Sequence, residues 1–130
     1  MLIDTSGFLC LYESDEPFHK SALKLYDDAP LRITTSYVLA EYTALAEIRG
    51  IRRSQIIEFS LNVLADDAIE IIWVDVRIHN QAVALRAERR DKRYSLCDAA
   101  SFVILHERRI SEALTTDKHF EQEGFLRLLH

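Results

Sequence analysis

Four carboxylates stand out by their surroundings: Asp4, Glu41, Asp98 and Asp117. Asp98 lies in "SLCDAASFVIL" (95–105), where the only strongly polar side chains between Leu96 and Leu105 are Asp98 and Ser101. Three positions apart on a helix, the two share a face and cut a polar notch into an apolar element. Glu41 lies in "SYVLAEYTALAEIRG", where helical spacing aligns it with Tyr37 and Val38 behind and with Leu45 and Ile48 ahead. It is therefore expected on the apolar stripe of its helix, whereas Glu47 falls off it. A carboxylate on a buried face is costly unless it is paired or bound to a cation. Carboxylates without a His or Cys cluster form a hard oxygen donor set, which suits Mg²⁺ or Mn²⁺. The chemistry such a site supports is in-line attack on a phosphodiester by a metal-activated water. The cation also neutralises acids that could not otherwise crowd together in ionised form.

Each acid also has a local explanation. Asp4 could cap a first helix and Asp117 a short late one, and "SLCD" fits a capping box between Ser95 and Asp98. Glu41 could pair with a buried Arg. These are separate coincidences, whereas one metal site accounts for all four. Other chemistry is thinner. The three glycines are scattered, so no phosphate loop is present, and the five histidines lack metal-ligand spacing. His119, near Asp117, could touch the site but is read first as a surface position on its short helix, and Tyr37, Tyr42, Trp73 and Tyr94 as core or edge residues.

The elements that must position the acids follow from periodicity and punctuation. "MLID" reads as a short buried strand ending at Asp4, with Ser6 capping a helix to about Tyr12. In "DEPFHKSALKLYDDAP", Pro17 opens a helix and Pro30 stops it. "LRITT" is a second strand, followed by the helix ended by Gly50. Ser54 caps "SQIIEFSLNVLADDA", "IEIIWV" is a third strand, and Asp75 caps "VRIHNQAVALRAERR". The helix from Ser95 leads to "ISEALTT", a short helix "DKHFEQEG" and a last strand "FLRLL". Strands separated by helices predict an α/β layered domain with a mostly parallel sheet, one domain over 1–130. Ligands bind beyond the carboxyl ends of such strands. Asp4 and Asp117 follow strands, and Glu41 and Asp98 sit in early helical turns that start from the same edge.

Composition narrows the setting. No apolar run approaches the roughly 20 residues that span a bilayer. The opening lacks the basic region of a secretory signal. Cys10 and Cys97 form no CxxC pair, which fits a reducing cytoplasm. The net charge of −5 argues against indiscriminate nucleic-acid binding. Positive charge is nonetheless clustered: "RAERRDKR" (86–93) holds Arg86, Arg89, Arg90, Lys92 and Arg93, and "RGIRR" (49–53) three more arginines. Solvated helix ends are the plainer explanation of both.

Taken together, "LIDTSGFLCL", "TTSYVLAEYTALAEIRG" and "YSLCDAASFVILHERRISEALTTDKHFEQEGF" resemble the PIN-domain nucleases, and within them the VapC-type toxin ribonucleases of toxin–antitoxin pairs. The resemblance spans almost the whole chain. It implies a three-layer α/β/α fold in which Asp4, Glu41, Asp98 and Asp117 hold Mg²⁺ or Mn²⁺. It implies supporting roles for the hydroxyls of Thr5, Ser6 and Thr116. Some relatives carry a further acid or amide where this chain has His119. The implied activity is endoribonucleolytic cleavage of RNA leaving 5′-phosphate and 3′-hydroxyl ends, with a homodimer as the usual assembly and an antitoxin as inhibitor. The cluster from Arg86 to Arg93 would then guide the RNA backbone. A PIN fold acting as a scaffold without catalysis is the alternative, and the four intact acids speak against it. An aspartyl-phosphate phosphatase would want an acid where Ser6 stands, and a receiver domain would want paired acids on the first strand.

Overall fold

All five apolar segments pair as strands, and all run in one direction. In the computed structural model, which describes residues 1–130, the chain order is β1 (Leu2–Ile3), α1 (Thr5–Tyr12), α2 (His19–Asp28), β2 (Ile33–Thr35), α3 (Ser36–Ile48), α4 (Arg53–Ala65), β3 (Glu70–Ile72), α5 (Val76–Glu88), α6 (Leu96–Arg108), β4 (Glu112–Leu114), α7 (Lys118–Gln122) and β5 (Leu126–Arg127). The sheet order is β3-β2-β1-β4-β5, with every neighbouring pair parallel. The strands are shorter than the apolar runs because helices start at once. Asp4 is already the N-cap of α1, and Thr35 accepts from the Val38 N–H at 3.1 Å to cap α3.

Alternation along the strands divides the interior into two cores. Leu2, Ile33 and Ala113 point to one side of the sheet and pack with Ile78, Ala82, Phe102, Phe120 and Phe125 of the later elements. Ile3 and Leu114 point to the other, where Phe8, Tyr42, Phe59 and Val63 of α1, α3 and α4 meet. The result is the three-layer α/β/α arrangement, with helices on both faces as a parallel sheet requires. Tyr42 and Phe59 approach to 4.0 Å between ring centroids, with Phe8 edge-on to Phe59 at 5.3 Å.

Helix α6 is buried without interruption from Cys97 to Leu105. A helix apolar on every side belongs inside the fold, and α6 carries Asp98 and Ser101 in with it. Its start is the capping box read from the sequence. Ser95 Oγ accepts from the Asp98 N–H at 3.0 Å, and Asp98 Oδ2 accepts from the Ser95 N–H at 3.1 Å.

Several local expectations need correction. The buried face of α3 is Val38, Tyr42 and Ala46, while Ile48 is 83% exposed. Glu41 therefore lies beside the core stripe and not within it. Small Ala46 and the Tyr42 ring fit against the α1–α4 aromatics, and that contact sets the phase of the helix. Ser6 is not a cap, since α1 begins a residue earlier, and Ser54 caps nothing, since α4 starts at Arg53 behind Arg52. Pro17 lies in the turn ahead of α2, which starts at His19, whose Nδ1 hydrogen-bonds the Cys10 carbonyl at 2.7 Å. Asp75 does cap α5, accepting from the Ile78 N–H at 2.8 Å.

Gly7 is where the fold is least tolerant. A Cβ there would lie 2.1 Å from the Leu114 carbonyl oxygen and 3.3 Å from Ile3 Cγ2, because α1 rests directly on the β4 backbone. A methyl group must push α1 off the sheet, and overpacking of this kind costs about 1–3 kcal/mol or more. Gly7→Ala is expected to lower the urea midpoint accordingly, and an unchanged midpoint would show that α1 can slide.

Candidate active site

In the order β3-β2-β1-β4-β5 the chain works outward from β1 on one side and then returns to build on the other. The crevice beyond the carboxyl ends of β1 and β4 is therefore the topological switch point, where open α/β sheets bind ligands. Asp4 stands at the end of β1, and Thr115, Thr116 and Asp117 continue from β4. The starts of α3 and α6 bring Glu41 and Asp98 to the same edge. A cleft of about 370 Å³ opens there, lined by Asp4, Thr5, Ser6, Glu41, Thr116 and Asp117, with Glu16 and Arg49 on its wall.

A chain of hydroxyls fixes the acids. Thr115, fully buried, donates to Asp4 Oδ2 at 3.0 Å and accepts from the Asp117 N–H at 3.0 Å. Its oxygen also lies 3.0 Å from Ser6 Oγ, which accepts from the Thr116 N–H at 2.9 Å. Thr5 Oγ1 donates to Glu41 Oε1 at 2.5 Å. Asp117 caps α7 by accepting from the His119 N–H at 2.9 Å, so the local explanation of that acid holds alongside its place in the cleft.

The acids gather in two adjoining groups. Donor atoms of Asp4, Glu41 and Cys97 lie within 4.8 Å of one another, as do those of Asp98, Asp117 and His119. Cys97 and Asp98 are consecutive, so the first turn of α6 joins the groups. Asp4 is 3% exposed, yet its Oδ1 has no hydrogen-bond partner. Its carboxyl is pushed up to about 7, first by burial and then by the charges of Asp98 and Glu41, with the Thr5 backbone N–H and the Thr115 hydroxyl pulling the other way. An orphaned carboxylate oxygen amid further carboxylates is what a hard divalent cation would satisfy. The donor set fits such an ion, and the two acidic groups could bind one.

Two features of the cleft were not assigned from the sequence. The hydroxyl holding Asp4 is that of Thr115, not Thr116, because the end of β4 turns Thr115 inward; the Thr-Thr pair does not distinguish them. His119 is not a plain surface residue. Its Nδ1 is 2.9 Å from Asp98 Oδ2 and 3.6 Å from Asp117 Oδ2. Its spacing two residues after Asp117 was the available signal. Arg49, from the second basic run, reaches the cleft wall and pairs with Glu16 at 2.8 Å.

The basic residues from 86 to 93 do come together. Arg86, Arg89, Arg90, Lys92 and Arg93 line a second concavity, of about 530 Å³, over Tyr94. The Tyr94 ring meets the His119 ring edge-on at 5.4 Å between centroids, so this surface adjoins the acid cleft. Its members differ in kind. Arg86 Nε donates to the Tyr94 carbonyl at 2.9 Å, and Arg89 forks onto Glu123, whose side chain is 4% exposed, with Nη2 to Oε1 at 2.8 Å. Burial opposes the Glu123 charge, yet the Arg89 fork holds its carboxyl below the ordinary range. Arg90 and Arg93 have no ion-pair partner and stay open to solvent.

The PIN domain family matches residues 1–126. The chain belongs to the PIN-domain family. Among its relatives is Ribonuclease VapC26 of Mycobacterium tuberculosis, 30% identical over 92% of this chain and 89% of that protein. Another is the 23S rRNA-specific endonuclease VapC20 of the same organism, 24% identical over 97% of this chain and 95% of that one. The crystal structure of VapC20, described as a Sarcin-Ricin loop cleaving toxin, superposes with a TM-score of 0.87 over 96% of this chain and 95% of that one. This PIN domain thus has the fold of a VapC protein along nearly its full length, and its relatives are the VapC-type ribonucleases.

Burial and charge at Asp4 set a pH dependence. Folded Asp4, at about 7, holds its proton more tightly than an ordinary carboxyl at 3.8. Its contribution to the stability of the metal-free protein is therefore complete below about pH 4 and lost as pH rises through 7. A bound cation competes with that proton. The rise in Tm produced by millimolar Mn²⁺ is expected to grow from about pH 5.5 to about pH 8. In thermal scans Asp4→Asn should flatten the trend; a gain that is equal at all pH values, or undiminished in the variant, would remove Asp4 from the cation site.

Proposed function

We propose that this chain is a Mg²⁺- or Mn²⁺-dependent endoribonuclease that hydrolyses RNA phosphodiester bonds, and that it is the toxin of a type II toxin–antitoxin pair. The observation that carries the reading is the buried Asp4 oxygen left without a partner among Glu41, Asp98 and Asp117 at the switch point of a PIN fold. Kinship with VapC26 and VapC20 supplies the reaction class.

Asp4, Glu41, Asp98 and Asp117 would hold the cation, which supplies an activated water and neutralises charge on the scissile phosphate. The chain's own work is positioning. Thr115 fixes Asp4, Thr5 fixes Glu41, and the capping box fixes Asp98 against the start of α6. His119 orients Asp98 from the other side, in the manner of an outer-shell partner. Ser6 and Thr116 tie the α1 start to the β4 loop, which keeps Asp4 and Asp117 on one edge. The products would be 5′-phosphate and 3′-hydroxyl ends.

RNA would approach across the basic concavity. Arg90, Lys92 and Arg93 offer charge to phosphates, whereas Arg86 and Arg89 chiefly hold the loop in shape through Tyr94 and Glu123. A cognate antitoxin protein, a homodimer and a cytoplasmic setting complete the proposal, with residues 1–130 acting as one domain. No helix is long and apolar enough to cross a membrane.

Purified Asp98→Asn is expected to cut Mn²⁺-dependent RNA cleavage roughly 100-fold or more while leaving the circular-dichroism spectrum intact. EDTA should have the same effect on the native protein. Undiminished cleavage in either case would sink the assignment. In cells, discrete new 5′ RNA ends should follow induction of the native chain and be missing with Asp98→Asn.

The basic loop makes a separable prediction. Arg90→Ala and Arg93→Ala should weaken RNA binding and each lower the salt slope of log K by up to about 0.7, the value for one single-strand phosphate contact, with Tm unchanged. Arg89→Ala should instead lower Tm, since it strips the buried Glu123 carboxylate of its forked partner and leaves only His106, 3.6 Å away. Equal behaviour of all three variants in binding and melting would refute this division of roles.

A further inference from the structure

One residue beside the acids of the cleft has no part in hard-metal chemistry. Cys97 is buried at the first turn of α6, its Sγ within 4.8 Å of ligand oxygens from both Asp4 and Glu41. Mg²⁺ gains nothing from a thiol, since it prefers oxygen donors and retained water. Zn²⁺ is different: it takes Cys, Asp and Glu together, tetrahedrally, with Zn–S near 2.3 Å and Zn–O near 2.0–2.2 Å.

We propose that Cys97 makes this half of the cleft a zinc site, Asp4–Glu41–Cys97, at which Zn²⁺ displaces the catalytic cation and switches the protein off. The three side chains come from the end of β1, the second turn of α3 and the first turn of α6. Two independent features point to a ligand there. The donor atoms already converge, and Asp4, one of the three residues, carries an Oδ1 that is buried without a partner. Ideal tetrahedral ligands stand about 3.5 Å apart, so closing from within 4.8 Å is a side-chain adjustment, for which Glu41 keeps solvent access and a flexible stem. A water would fill the fourth position.

Binding is proton-balanced. The thiol S–H bond breaks, its proton and any proton held by Asp4 pass to solvent, and the thiolate pair forms the S–Zn bond; no oxidant or reductant is needed. The other cysteine of the chain, Cys10 on α1, lines the cleft but belongs to neither acidic group. Asp98, Asp117 and His119 remain on the far side of the α6 turn.

The binding half of the proposal stands on geometry alone, and only the switching half rests on the nuclease reading. Titration of the full chain with Co²⁺, the spectroscopic stand-in for Zn²⁺, should give a near-ultraviolet thiolate-to-cobalt band. The band should persist in Cys10→Ser and vanish in Cys97→Ser and in Cys97→Ala, two variants chosen so that a folding failure of one leaves the other. No band in the native chain, or a band retained without Cys97, overturns the site. For switching, Zn²⁺ inhibition of RNA cleavage is measured against each variant's own Mn²⁺-supported rate. Loss of Cys97 should raise the inhibitory Zn²⁺ concentration at least tenfold, and an unchanged value overturns the switch. A native chain that binds Co²⁺ through sulfur but cleaves no RNA with Mn²⁺ would count against the nuclease reading and the switch while leaving the zinc site standing.

Discussion

The arrangement at the carboxyl edge of the sheet is governed by a repulsion. Asp4, Glu41, Asp98 and Asp117 meet where two of them, Asp4 and Asp98, have little water. At Asp4 burial and like charge both oppose ionisation, and they win against the Thr5 backbone N–H and the Thr115 hydroxyl. The fold answers with helix starts. Asp4 and Asp117 occupy the N-cap positions of α1 and α7, and Asp98 is in the first turn of α6. Each of those ends carries partial positive charge, worth up to about 1–2 kcal/mol in a partly buried setting. That softens the crowding without removing it, and it leaves room for a cation to do the rest.

Holding charges this close demands a stiff frame, and the two cores provide it. Side chains alternate to opposite faces of a sheet only a few residues deep, so each face is sealed by its own aromatic cluster. Contact between α1 and β4 at Gly7 is backbone to backbone, which lets the strand ends carrying Asp4 and Thr115 sit side by side. On the opposite face, Arg89 and Glu123 pin the basic loop to the segment after α7. One framework thereby sets both the acid cleft and the cationic surface beside it.

Much of this was legible in the linear order of residues. Alternating apolar strands and amphipathic helices announce a parallel α/β sheet, since each segment must bury one face. Asp98 and Ser101 announced themselves as polar residues in an apolar run, and the capping box at Ser95 was readable because it is local. Glu41 does line the cleft, but the reason for choosing it was inexact. Its helix was phased on a stripe that ran on to Ile48, whereas Ile48 is exposed and the buried face centres on Val38, Tyr42 and Ala46. Thr115 and His119 could not be placed from spacing alone, because which of two adjacent hydroxyls faces Asp4 depends on how β4 ends.

Sequence alone determined the parallel α/β class, because periodicity and capping are properties of neighbours along the chain, and its motifs carried the family resemblance and singled out four acids as candidates. Only the tertiary structure decided how those acids divide into two groups across the α6 turn, and that Cys97 and His119 each join one. It also separated the arginines that bind protein from those left free, since Glu123 and Tyr94 meet Arg89 and Arg86 only after folding. Distances between residues far apart in sequence are set by packing of the sheet and its two cores, and no local pattern encodes them.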